Sequence, residues 1–216
     1  MAIKGALTWL CSLAVLSFSA AEDEILLQSC NSQTEQLSAN FKMAAECIVQ
    51  QASALSALQT ASLLLSMRNL TDSLHKQQLK ECQGAEPSEC PDAEVPNNGG
   101  LACVTVASKR YCKPLCNWGY DFAFIRRSRI YDECSEQTGY KWKTQYIGGN
   151  KLAVCNDASI QVSGAATAYF PKDQNCLTTK SSSLLKTSTI QLFTSELESE
   201  GIQGEPQNGC LVCGGP

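Results

Sequence analysis

The stretch Cys90–Phe122, CPDAEVPNNGGLACVTVASKRYCKPLCNWGYDF, places Cys90, Cys103, Cys112 and Cys116 close together behind a run of turn-forming residues. Pro91, Pro96, Gly99 and Gly100, with Gly84 and Pro87 just before them, mark a linker and the entry to a new unit. Residues 101–170 are rich in aromatic and β-branched side chains. Tyr120, Phe122 and Phe124 alternate at period two, as on one face of a strand, and Ile160 and Val162 repeat the pattern weakly.

Further on come Cys134, the Gly139-Tyr140-Lys141-Trp142 turn and Cys155. With Cys90, and with the Gly119-Tyr120 pair after Cys116, this pattern resembles a sushi, or complement control protein, module of the subtype that carries an extra cysteine pair. The resemblance implies bridges Cys90–Cys134 and Cys116–Cys155, with Cys103 and Cys112 free to join each other. The family's glycine stands two residues before its tryptophan, whereas Gly139 stands three before Trp142; Tyr131 is also displaced from the usual tyrosine position ahead of the third core cysteine. Multidomain extracellular proteins of this type carry, after the sushi module, a cysteine, a helix with spaced apolar residues and two more cysteines. Cys176, Ile190, Phe193, Leu197, Cys210 and Cys213 follow that order, which extends the weaker part of the resemblance to residue 213. A module of this size has a thin core. Closing the Cys90–Cys134 loop would contribute about 4 kcal/mol through the entropy of the unfolded chain, and Tyr120 and Trp142 would supply its large apolar contacts.

The flanks read as helical. Cys30, Leu37, Phe41, Ala44, Ile48, Ala52 and Leu55 recur at mostly three- or four-residue steps, and no Pro or Gly interrupts residues 22–83. A second segment, Thr71 to Cys82, holds Leu74 and Leu79, with Asn69, Thr71 and Asp72 as capping residues between the two. Toward the end, Leu185, Ile190, Phe193 and Leu197 fit an amphipathic helix from about Ser183 to Glu200, stopped by Gly201. Cys210-Leu211-Val212-Cys213 is expected in a loop flanked by Gly and Pro.

The expected fold class is therefore α+β. A disulfide-tied helical hairpin (22–89) precedes a small β sushi-like module (90–155) and a C-terminal helix with a Cys-rich tail (156–216). Residues 1–21 read as an export signal: Lys4, an apolar run from Ala6 to Phe18, small residues at Ser19-Ala20-Ala21, then the acidic Glu22-Asp23-Glu24. No other stretch approaches the length of a membrane span. Secretion and an oxidising compartment are expected. Of 13 cysteines, Cys11 would leave with the signal. The remaining twelve are Cys30, Cys47, Cys82, Cys90, Cys103, Cys112, Cys116, Cys134, Cys155, Cys176, Cys210 and Cys213, enough for six bridges. If six of them pair within 90–155, three remain on either side, so an odd number of bridges must tie the N-terminal helices to the tail. Asn69-Leu70-Thr71 is a glycosylation acceptor.

Little in the chain suggests catalysis. His75 is the single histidine, which rules out His-based zinc sites and makes a hydrolase triad a poor reading. The C-x-x-C of Cys210 and Cys213 has redox spacing, but no strand leads into it and no helix follows to lower a thiol pKa, so two structural bridges are expected. No enzyme activity, cofactor or metal is anticipated, and no nucleic-acid partner. Residues 90–155 form the one net-basic segment, with nine basic and six acidic residues. There Arg126, Arg127 and Arg129 with Lys141 and Lys143 form a candidate binding surface for a glycan or an acidic protein, and Trp118 is a candidate contact aromatic. The expected function is extracellular binding, adhesion or matrix association through the sushi-like module. The alternative is a carrier or signalling protein holding an apolar ligand between its helices. The sequence sets neither the ligand nor the oligomeric state.

Overall fold

The computed structural model describes residues 34–143 and 148–215. The proposed export segment and Cys30 lie outside the described residues. The chain divides into two units, residues 1–66 and 67–216, and it is α+β, with helices and antiparallel sheet.

In the first unit, helix α1 (Thr34–Gln51) ends in a short 3-10 turn, Ala52–Ala54, and helix α2 (Ala57–Leu79) begins there and runs on into the second unit. The break thus falls earlier than the sequence pattern suggests. Asn69, Thr71 and Asp72 lie inside α2 instead of capping a separate helix. Such residues cost well under 1 kcal/mol each in a helix interior. A stronger start signal stands at Ser56: its Oγ accepts from the Gln59 backbone N–H, while Gln59 Oε1 accepts from the Ser56 backbone N–H, which is a capping box. Among the described residues the apolar stripe is not buried as a hairpin core: Leu37, Phe41, Ala44 and Ala52 are exposed, and Ile48 and Leu55 are half-buried. Nor is the hairpin tied by cysteines among the described residues, because Cys47 is exposed and unbridged.

The second unit is built on a four-stranded antiparallel sheet in the order β4-β2-β1-β6. Strand β1 (Gly99–Val106) pairs with β2 (Lys109–Cys116), which pairs with β4 (Asp132–Cys134); β6 (Gln207–Cys213) lies on the other side of β1. A separate two-stranded sheet joins β3 (Tyr120–Phe122) to β5 (Cys155–Asp157). Every residue of β1 is buried, because both faces of the sheet are covered. Ala102, Val104 and Val106 face one core with Tyr111 and Leu211. It is closed by Phe193 and Leu197 from helix α4 (Ser183–Ser199), which follows the short helix α3 (Cys176–Ser181). Leu101 and Cys103 face the opposite core with Cys112, Cys210, Val212, Trp142 and Leu152. This is the period-two alternation of a strand, with apolar residues on both phases.

Five bridges close the second unit: Cys82–Cys210, Cys90–Cys134, Cys103–Cys112, Cys116–Cys155 and Cys176–Cys213. Three of them are the pairs named with the sushi resemblance. Cys82–Cys210 is a bridge between the N-terminal helical segment and the tail. Residues 90–155 do not stand apart from 156–216, since β6 completes their sheet and α4 covers it. The Cys210–Cys213 segment is accordingly a strand rather than a loop. At its last residue the free edge is capped by Gln78 near the end of α2: Cys213 N donates to Gln78 Oε1 at 3.1 Å, and Gln78 Nε2 donates to Cys213 O at 2.6 Å.

Two further expectations differ. Phe124 is exposed and lies beyond β3, and Ile160 and Val162 sit exposed in a loop. Alternation over three residues fitted a strand, but the second sheet is only three residues wide. The tail helix lies where its stripe places it. Gly201, at φ 82°, and the Ile202 N–H, bonded to Leu197 O at 3.0 Å, terminate it in a Schellman turn.

Candidate ligand groove

An open groove of about 880 Å³ runs between α4, strand β2 and the loop 161–174. Leu185 and Leu192 of α4 form one wall, and Gly164, Ala165, Phe170 and Pro171 form the other. Leu192 and Trp118 are 47% and 44% exposed, so large apolar groups line the opening.

The loop wall is held by one carboxylate. Asp121, buried in β3, accepts hydrogen bonds from the backbone N–H of Val162 and Ser163, the Ser163 hydroxyl and Tyr169 Oη. It also accepts from the backbone N–H of Phe122. Burial pushes the Asp121 carboxyl up, but these donors outweigh it and hold it below its ordinary value. Burial and the bond to Asp121 push the Tyr169 phenol up to about 12, so it stays a donor at neutral pH. Gly164 must lack a side chain, since a Cβ there would meet the Phe122 ring at 2.6 Å and Tyr169 Oη at 2.9 Å. At the far end of the loop, Asn175 caps α3 in a capping box with Thr178, and Cys176 N donates to Asn117 Oδ1 at 2.8 Å. The groove wall is thereby fixed to the residue next to Trp118.

At the floor, Lys113 Nζ meets Glu196 Oε2 of α4 at 2.5 Å. The Lys113 side chain is 1% exposed; burial lowers its ammonium pKa, and the Glu196 partner opposes that. Two side-chain atoms of groove-lining residues are left over beneath the surface. Gln174 Oε1 and Thr179 Oγ1 are buried and make no hydrogen bond. Buried polar atoms are normally paired, because an unmade bond costs about 1–3 kcal/mol.

No family model, no curated protein and no solved structure matches this chain. Its geometry must therefore be read on its own terms.

The candidate surface residues separate in the structure. Trp118 and Arg127 both line the groove, and Arg127 Nε donates to Val162 O at 2.8 Å. Arg126 is not on the surface: it is 5% exposed, donates to Leu152 O at 2.7 Å and pairs with Asp132 at 2.9 Å. Arg129 pairs with the other oxygen of Asp132 at 2.8 Å. A buried carboxylate between strands needs cationic partners, and two of the three arginines supply them. Lys141 and Lys143 are exposed on either side of Trp142, which is buried with its Nε1 donating to Pro91 O at 2.7 Å. The five basic residues therefore do not form one exposed patch. Asn69 is exposed, but on a helix rather than a loop. His75 is half-buried beside Gln78. Sequence reasoning missed Gln174, Thr179 and Leu192. Leu192 lies seven residues after Leu185 on one helical face, a signal that was available; nothing local marks the other two.

Proposed function

We propose that this chain is a secreted, non-enzymatic binding protein that recognises an extended segment of an extracellular partner protein in the groove beside α4. The open, mostly apolar groove between α4 and the loop carries this reading, because its walls offer an extended segment a continuous seat for side chains. Apolar partner side chains would rest on Leu185 and Leu192, and Trp118 would cover them from the rim. Arg127 and Lys172 stand at the opening, so an acidic residue in the segment is favoured. Five bridges support an oxidising compartment and hence export. The pairs Cys90–Cys134 and Cys116–Cys155 support kinship with sushi modules, whose habit is protein or glycan recognition.

A glycan is the second reading, favoured by the exposed Trp118 ring at the same groove. The carrier alternative shifts from the N-terminal helices to this groove, where the apolar walls lie. The test is to pan the purified chain against a random peptide library and, in parallel, a glycan array. Enriched peptides with an apolar–acidic pattern are expected, and their affinity should fall at least tenfold in Leu192→Glu and Thr179→Val. Binding that both variants retain would refute the groove, and binding on the glycan array alone would replace the peptide with a sugar.

A further inference from the structure

On the opposite side of the sheet, two disulfides lie side by side. Cys103 faces Cys112 across β1 and β2, and it faces Cys210 across β1 and β6. Cys112 is already its bridge partner, and Cys210 is bridged instead to Cys82. The sulfurs of Cys82, Cys103 and Cys210 all lie within 4.8 Å of one another. Arg110, 4% exposed, donates from Nη2 to Cys210 Sγ at 3.1 Å, and its Nη1 is anchored on Asn208 O at 2.8 Å. A cavity of about 310 Å³ opens on this cluster, lined by Cys82, Cys103, Cys112 and Arg110, with Asp92 and Glu94 also contributing. Cys82 is half-buried, whereas Cys103, Cys112 and Cys210 are buried, so Cys82 Sγ is the sulfur an incoming thiol reaches.

We propose that this cavity is a thiol–disulfide exchange site for a small aliphatic thiol, at which the Cys82–Cys210 bridge is traded for a Cys103–Cys210 bridge. The incoming thiolate attacks Cys82 Sγ. The Cys82–Cys210 bond breaks, a mixed disulfide forms on Cys82, and Cys210 leaves as a thiolate held by the Arg110 guanidinium. Cys210 then attacks Cys103 Sγ. A Cys103–Cys210 bond forms, the Cys103–Cys112 bond breaks, and Cys112 takes up the proton that the incoming thiol gave up. Two disulfides remain among the products, so no net oxidation or reduction occurs. A thiol needs a good leaving group, and a cation beside the departing sulfur supplies one. Burial lowers the Arg110 pKa to about 10, so the guanidinium is still charged at neutral pH. Cys103 and Cys210 are register partners on adjacent strands, beside a break in the β1–β6 register, so the new bridge joins residues that already face each other and needs only a local adjustment of the sheet. The exchange releases the end of α2 from the tail strand and leaves it held only by contacts such as those of Gln78 and Glu81.

Asp92 and Glu94 make a cationic thiol the preferred reactant, and cysteamine is the probe. The intact protein, its exposed thiols first capped with N-ethylmaleimide, is incubated with cysteamine, quenched in acid, alkylated and mapped without reduction. Cysteamine should appear on Cys82, a Cys103–Cys210 peptide should accumulate and Cys112 should be alkylated, all before Cys116–Cys155 or Cys176–Cys213 opens. Arg110→Gln should slow the first step about tenfold, the effect of raising a leaving thiol's pKa by roughly two units. The exposed pair Asp92→Asn and Glu94→Gln should slow it a few-fold without disturbing the core. Absence of the Cys103–Cys210 peptide from the unaltered chain, or prior opening of another bridge, would overturn the proposal whether or not Arg110→Gln folds.

Discussion

Removing Glu196 from the groove floor tests whether the Lys113 pair is the structural joint between α4 and the sheet. Lys113 is 1% exposed and Glu196 16% exposed, at 2.5 Å. Glu196→Leu leaves a buried ammonium with no partner, a change that typically costs about 3–5 kcal/mol. Glu196, 16% exposed, leaves the pair partly open to solvent on its own side, which puts the expected loss near the lower end, about 3 kcal/mol. Lys113→Met should cost less, about 1–2 kcal/mol, because Glu196 can turn toward solvent. The double variant Lys113→Met, Glu196→Leu removes both charges and leaves two apolar side chains between β2 and α4. It should lie within about 1 kcal/mol of the parent, since a buried pair often does no better than its hydrophobic replacement. The assay is urea unfolding with disulfides intact, followed by tryptophan fluorescence and completed as a double-mutant cycle. If the double variant loses as much as the two single ones together, the residues are not coupled and the joint is misread.

Asp121 gives a pH dependence of known sign. Its carboxyl is held below its ordinary value in the folded protein, so its contribution is present above the unfolded pKa of about 3.9 and is lost as pH falls through the folded value. The stability difference between the parent and Asp121→Asn should therefore be constant above about pH 5 and shrink below about pH 4; a difference that grows on acidification would contradict the network. Gly100→Ala would place a Cβ 2.5 Å from Cys176 Sγ and 2.8 Å from Val212 O. It should separate β1 from β6 at a cost of at least about 3 kcal/mol, read as a lowered thermal midpoint, and an unchanged midpoint would mean the sheet is not packed this tightly. Ser56→Ala removes the cap of α2 and should cost about 1 kcal/mol of local stability. Hydrogen exchange at residues 57–60 should rise while β1 and β2 stay protected.

The tail helix could be read from the chain itself. Three of the five bridges were implied by the resemblance to sushi modules, not by the spacing of the cysteines alone, and Leu185, Ile190, Phe193 and Leu197 repeat at the helical period. The β1–β2 hairpin was not legible. Its turn is Ala107-Ser108, with φ of 48° and 58°, and neither residue carries the Asn-Gly signal that such a turn normally shows. Strand β6 looked like a loop because its partner β1 is about a hundred residues away, and strand pairing is a property of the partner as much as of the strand. The arginines show the same limit. Their sequence gives three positive charges within four residues, but which one meets water depends on where Asp132 lies. Composition and local period decide what a segment can become. Only the folded chain decides which side chains are covered, which is why the groove's two unpaired atoms and the pair of adjoining disulfides became visible there.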